Sequence, residues 1–400
     1  MIKLLLQFLA TVWLYWFVLA PSMWAQIQFT ADPTGTQEVP PNVAVTGRGI
    51  GTFTLTGQEL AFKVTVDGLT GPIAMAHFHN AAVGVDGAVV KTITADFVGN
   101  IASGIWKSTD PEPLTQALIN ELQAARLYVN IHTASFPGGE IRGQLGPATL
   151  VSAVLPASRS VQVGVPATAF ATIINAATST AIGCGITPIP NIPATFSYQT
   201  TNPATNQITG TPNTPVDIPT GLFQTYVFSL TPNAPITPVD LQFSFDCVNT
   251  NPAPITVGVN TLLFTASATP VPDVVALAGT PAPDPGIVNI PGTTGTGFFV
   301  VATVNVGASG SITASADTGG TVLPVNISLC QTNPATGVCL APQSSTVTTT
   351  IDANATPTFG IFVQGASNVA FNPATSRIFV RFKDAGNVTR GSTSVAVRTQ

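Results

Sequence analysis

The sequence predicts an all-β chain with one short helix, and three observations carry that prediction. Gly and Pro together fill 69 of 400 positions (35 and 34) while charged residues are only 8%, a composition of strands and turns rather than helices. Short runs alternate apolar and polar residues, as in Leu60-Ala61-Phe62-Lys63-Val64-Thr65-Val66, the period-2 signature of half-buried strands. Only one stretch repeats apolar residues at helical spacing. A 45% hydrophobic fraction over this length is enough for several cores.

The elements follow in chain order. Met1-Ile2-Lys3, an apolar run from Leu4 to Ala20 and Pro21-Ser22-Met23-Trp24-Ala25 have the charged, apolar, small-residue order of a secretory signal peptide. Residues 1–25 are therefore expected to be removed after Ala25, an uncleaved membrane anchor being the alternative, and no later segment is apolar enough to span a bilayer. Residues 26–147 form the first expected domain. Gln28–Ala31, Gly49–Leu55 and Leu60–Val66 read as strands, with a hairpin turn at Thr56-Gly57-Gln58-Glu59 and a stiff proline-bearing connector at Gln37–Pro41. The single helix is expected to start at Asp110 as cap and Pro111 as first residue, with Leu114, Leu118 and Leu122 forming its packed stripe.

All three histidines of the chain fall in two stretches of this domain, Ala74–Asn80 and Leu127–Thr133. Successive strand side chains point to opposite faces, so His77 and His79 share one face and Phe78 takes the other. Likewise Leu127, Val129 and Ile131 form an apolar face, leaving Tyr128, Asn130 and His132 together. If the strands meet, three imidazoles converge, and three histidines with an open position suit copper or zinc. The other reading is three hydrogen-bonded structural histidines. Glu140 and Asp86 are the carboxylates available to orient such a site from its outer shell, solvated loop acids being the alternative.

The ordered motifs Gln37-Glu38-Val39-Pro40-Pro41, Gly51–Leu55, Val66–Thr70 leading to Ala76-His77-Phe78-His79, Tyr128–Thr133 and Phe136–Leu145 resemble a CHRD domain over residues 28–146. The resemblance implies an exported, mostly β module of the chordin type, barrel-like or sandwich-like, with protein binding as its role in animals. More distantly, Gly68-Leu69-Thr70 followed by His77-Phe78-His79, and Val129–His132, are similar to the copper-ligand strands of copper-zinc superoxide dismutases. The chain lacks that family's fourth copper histidine and its histidine-rich zinc loop, and residues 26–147 contain no cysteine.

Two further strand-rich domains are expected at 151–268 and 286–400, separated by a stretch with prolines at 270, 272, 281, 283 and 285. Runs such as Thr225–Leu230, Leu241–Cys247, Gly297–Val304 and Arg377–Phe382 punctuated by Pro- and Asn-rich turns read as β-sandwiches. The tetrapeptide Asn-Pro-Ala-Thr at 202, 333 and 372 reads as a reused turn and hints at duplication. In composition this region resembles the immunoglobulin-like arrays of bacterial surface proteins. Cys184, Cys247, Cys330 and Cys339 all lie here. Pairing within each domain gives Cys184–Cys247, bridging the two sheets as in immunoglobulin-like domains, and Cys330–Cys339, closing a short hairpin-like loop.

Several function classes are disfavoured. Net charge is −5, and between Ser160 and Ser376 there is no Lys or Arg, so nucleic acid finds no basic surface. No histidine follows His132, which removes Ser-His-Asp and Cys-His sites from the later domains. The leading expectation is a secreted, periplasmic or cell-surface binding and adhesion module, not an enzyme, that engages an extracellular protein or surface ligand. The alternative is a copper- or zinc-binding metalloprotein, open to redox chemistry, with His77, His79 and His132 as ligands.

Overall fold

The computed structural model describes residues 26–400, so the signal peptide expected at residues 1–25 lies outside the described residues. The chain is all-β. The first unit runs through β1 (Ile27–Ala31), β2 (Arg48–Thr56), β3 (Glu59–Asp67), β4 (Ile73–Asn80), β5 (Ala88–Thr92), β6 (Phe97–Val98), β7 (Ile101–Lys107), α1 (Gln116–Gln123), β8 (Leu127–Thr133), β9 (Ile141–Gln144) and β10 (Gly146–Pro147). These form a six-stranded sheet, β10-β1-β2-β3-β7-β6, facing a four-stranded one, β5-β4-β8-β9. Between them Phe29, Phe53, Phe62, Phe78 and Trp106 are buried together, with the Phe78 ring stacked on Trp106 at 5.6 Å. Each such aromatic removes about 150–250 Å² from water. This side of β4 is therefore pinned, and its other side carries the histidines.

The helix begins later than the sequence suggests. Thr115, not Asp110, is its N-cap and accepts from the Leu118 N–H. Pro111 and Pro113 hold the residues before them extended, so no helical turn forms until both are passed. Asp110 instead accepts from the Lys107 N–H and pairs with Lys91 at 3.3 Å. Leu122 is buried from the helix as expected, joined by Ile119, while Leu118 is only partly buried and Leu114, though buried in the core, precedes the cap and lies outside the helix.

The second unit comprises β11 (Leu150–Leu155), β12 (Ser158–Gln162), β13 (Ala167–Asn175), β14 (Ala181–Ile189), β15 (Ala194–Thr201), β16 (Val216–Ile218), β17 (Phe223–Pro232), β18 (Ile236–Asp246) and β19 (Leu262–Ser267). The third repeats the count with β20 (Val274–Gly279), β21 (Ile287–Ile290), β22 (Thr296–Asn305), β23 (Gly310–Asp317), β24 (Val325–Thr332), β25 (Thr346–Ile351), β26 (Thr358–Gly365), β27 (Arg377–Asp384) and β28 (Thr389–Thr399). Their sheets are β11-β13-β17-β15 with β12-β19-β18-β14-β16, and β20-β22-β26-β24 with β21-β28-β27-β23-β25. Shifting every number in the first pair by nine gives the second pair. Even the parallel pairing of second strand with last is kept, in β12–β19 and β21–β28. The duplication hinted at by Asn-Pro-Ala-Thr is thus a shared topology. In all three copies the Asn side chain accepts from the backbone N–H two residues on, an Asx turn. The third core begins at Val274, inside the proline-bearing stretch, whose prolines flank β20.

Both expected disulfides are present, Cys184–Cys247 and Cys330–Cys339. The first does not bridge the sheets. β14 and β18 are neighbours in one sheet, with Gly185 opposite Asp246, so Cys184 and Cys247 face each other across adjacent strands. The immunoglobulin-like expectation failed here because the strand order, not the spacing of cysteines, decides which strands a bridge joins.

Polar contacts link successive units. Asn251 donates to the Thr30 carbonyl at 2.7 Å and Arg48 to Asn191 at 2.9 Å. Arg159 pairs with the buried Asp273 at 2.9 Å, and Arg390 donates to Ser160 at 3.0 Å. No helix among the described residues is long and apolar enough to cross a membrane.

Candidate metal centre

β4 and β8 pair antiparallel with Met75 opposite His132, His77 opposite Asn130 and His79 opposite Tyr128. Phe78, Val129 and Ile131 face the core, so by alternation His77, His79 and His132 emerge on the other face. The expected convergence is real in geometry: one nitrogen from each ring lies within 4.8 Å of the other two. His77 Nδ1 and His132 Nε2 are 3.3 Å apart. Two nitrogens bound to one tetrahedral ion at about 2.0–2.1 Å are separated by roughly 3.3–3.4 Å, so this pair is already at ligand spacing.

Backbone carbonyls orient two of the rings. His79 Nδ1 lies 3.0 Å from the Gly87 carbonyl, and His132 Nδ1 lies 3.0 Å from the Pro137 carbonyl. A carbonyl only accepts, so each Nδ1 carries the proton and each Nε2 presents its lone pair. That is the arrangement by which a histidine's second nitrogen is prepared for a metal. His79 is 9% exposed and its Nε2 has no hydrogen-bond partner, an unmet acceptor that costs about 1–3 kcal/mol when left dry. Burial lowers all three histidine pKa values below the ordinary 6.5; His79 and His132 respectively push those of His77 and His79 down further, as His77 does that of His132. The rings are therefore neutral at neutral pH, the state that ligation needs.

The polar face of β8 is more enclosed than alternation alone implies, because Tyr128, Asn130 and His132 are all buried. Arg142, 1% exposed, donates to the carbonyls of Ala82 and Val85 and so ties the 81–87 loop over this face. Its guanidinium lies 3.5 Å from the Tyr128 ring centre, and Tyr128 stacks on His79 at 4.7 Å. Arginine, tyrosine and histidine thus form a column that fixes the His79 plane. Glu38, also buried, holds Asn130 at 3.3 Å, and burial lifts its pKa to about 7.

Neither expected outer-shell carboxylate bonds a histidine. Glu140 accepts from the Thr70 N–H, the Thr70 hydroxyl and the Thr133 hydroxyl, stapling the β3–β4 loop to β8. Asp86 pairs with Arg142 at 3.4 Å. Sequence reasoning missed Gly87 and Pro137, since a carbonyl acceptor leaves no side-chain signature; it also missed Arg142, a lone arginine in a Gly-rich strand. A cleft of about 1190 Å³ lies elsewhere, between the first and second units, and holds Asp32, Arg48 and Asp246. Burial raises Asp32 to about 6 and Asp246 to about 8, the second also through its neighbour Asp32.

Residues 29–145 match the CHRD domain family. The first unit is a CHRD domain. The match coincides with the two-sheet unit that carries the three histidines. No curated protein matches the chain. Among solved structures, the N-terminal domain of PorA matches 31% of this chain and 97% of its own at 10% identity and a TM-score of 0.20. The Yersinia pseudotuberculosis adhesin InvE matches 62% of this chain and 58% of its own at 11% identity and 0.18. The CupB6 tip adhesin from Pseudomonas aeruginosa matches 59% and 89% at 8% identity and 0.18. Scores of this size carry no inference about function.

Proposed function

We propose that the chain is an exported binding protein, secreted or held at the cell surface, whose CHRD domain takes up one copper or zinc ion through His77, His79 and His132. The two sandwiches that follow act as spacers. One observation carries the metal reading: three imidazole nitrogens converge, two of them with lone pairs fixed by carbonyl bonds and one of these buried without a partner. Export is supported by the signal-like leader and by two disulfides, which persist in oxidising compartments.

A second reading keeps the extracellular binding role and makes the histidines structural, with an extracellular protein or surface ligand as partner. The close His77–His132 pair favours it to this extent, that a proton on His77 Nδ1 would satisfy both rings without an ion. Calorimetric titration of copper and zinc into the full exported chain separates the two. The metal reading expects one ion per chain and its loss in His79→Ala. Equal heats for both proteins, or no stoichiometric binding to either, would leave the second reading alone.

A further inference from the structure

We infer that Met75 supplies a thioether as fourth ligand, so that the site holds monovalent copper in preference to zinc; this rests on the three-histidine reading and specifies its ion. The register places Met75 directly opposite His132 and two residues before His77 on the same strand. An irregularity falls between Ile73 and Met75, and pairing is regular from Met75 onward. Met75 therefore projects from the histidine face. Directly opposed residues on one face have Cβ atoms about 4.5–5.5 Å apart, and an unbranched methionine with three rotatable bonds spans that gap. Of the three methionines in the sequence, it is the one outside the first 25 residues.

Its surroundings give it no other work. Met75 is 42% exposed and is not part of the CHRD core. The rival for the open position is Glu112, whose charge favours the protonated form of His77. Both Glu112 oxygens are engaged by Thr92, one by its N–H at 2.7 Å and the other by its hydroxyl at 3.0 Å. The thioether is uncommitted. Soft sulfur beside imidazole selects monovalent copper, whereas carboxylate or water completes a zinc site. The four cysteines are paired in the later sandwiches, so no thiolate competes.

The test measures affinity for monovalent copper by competition with a bathocuproine chelator, and for divalent zinc by calorimetry, in the full exported chain. Met75→Leu keeps volume and removes sulfur. It is expected to weaken copper binding by at least about tenfold while leaving zinc affinity unchanged, and to abolish the sulfur scatterer in the copper X-ray absorption spectrum. His79→Ala is expected to weaken both metals. Copper affinity in Met75→Leu within twofold of the parent, with no sulfur scatterer in the parent, overturns the Met75 assignment but leaves the three-histidine site standing. Absence of binding of either metal to the parent overturns both.

Discussion

Glu140 offers the sharpest separation of scaffold from site. It is fully buried, and its carboxylate accepts from the Thr70 N–H at 2.7 Å, the Thr70 hydroxyl at 2.7 Å and the Thr133 hydroxyl at 2.5 Å. Bonds to a charged acceptor contribute about 1.5–3 kcal/mol each, less the cost of keeping the charge out of water. Glu140→Ala strands the Thr70 N–H and leaves a cavity, so the expected loss is about 3–4 kcal/mol. In Glu140→Gln the amide oxygen still accepts from Thr70, and the two hydroxyls rotate to accept from the amide nitrogen. Only charge assistance goes, about 1–2 kcal/mol. Trp106 makes the measurement specific. It is the sole tryptophan after residue 25 and lies wholly inside the CHRD core, so its fluorescence during urea unfolding reports that domain alone. With m near 1–3 kcal/mol/M, Glu140→Ala should move the midpoint by about 1 M or more, while metal affinity in Glu140→Gln stays at the parent value. A Gln variant as damaged as Ala would refute the hydrogen-bond reasoning. A stable Gln variant with metal affinity reduced about 10–100-fold would show that the carboxylate serves the ion.

The two disulfides close loops of 63 and 9 residues, so Cys184→Ala/Cys247→Ala should cost about 4 kcal/mol and Cys330→Ala/Cys339→Ala about 2.5; differential calorimetry with equal losses for the two pairs would contradict the loop-entropy account. The histidine pKa values lie below 6.5 in the folded, metal-free state. Below that pH the unfolded chain takes up more protons, so CHRD stability and metal affinity should both decline as pH falls through it, and a flat Trp106 unfolding profile from pH 7 to 5 would contradict this. Asp246 acts in the opposite sense. Raised to about 8, it binds a proton in the folded state that the unfolded chain has lost, so its favourable contribution disappears as pH rises through about 8, and Asp246→Asn should be more stable than the parent above that value by thermal unfolding. Arg159→Ala leaves the buried Asp273 carboxylate without its ion pair and should cost about 3 kcal/mol in the second and third units, with Trp106 fluorescence unmoved.

What local patterning controls was legible in the sequence. Period-2 alternation located β2 and β3 to within a residue or two, because each lies with one face on the core and one toward solvent or a neighbour. The helix start was misread because Asp110-Pro111 looks like a cap and first turn, while Pro113 two residues later forbids the turn they would open. The position of the Cys184–Cys247 bridge was misread for a different reason. Its pairing follows from domain membership, but whether it lies within or between sheets depends on β14 and β18 being neighbours, a fact of long-range topology that cysteine spacing does not carry.

The candidate metal centre divides along the same line. That His77 and His79 share a face is a two-residue fact, and that His132 shares it with them follows once β4 and β8 pair. The preparation of the site is non-local: Gly87 and Pro137 lie in loops, and their carbonyls reach His79 and His132 only because Arg142 and Glu140 hold those segments in place. Each loop therefore contributes through an atom common to every residue, which no side-chain pattern can mark. The consequence is physical as well as interpretive. With the tautomers set by backbone, substitution of exposed loop side chains such as Val83 should be far less damaging to ligation than displacement of the loop, and the residues to guard are the anchors Arg142 and Glu140 together with Gly87, where an added Cβ would run into the Asn80 carbonyl.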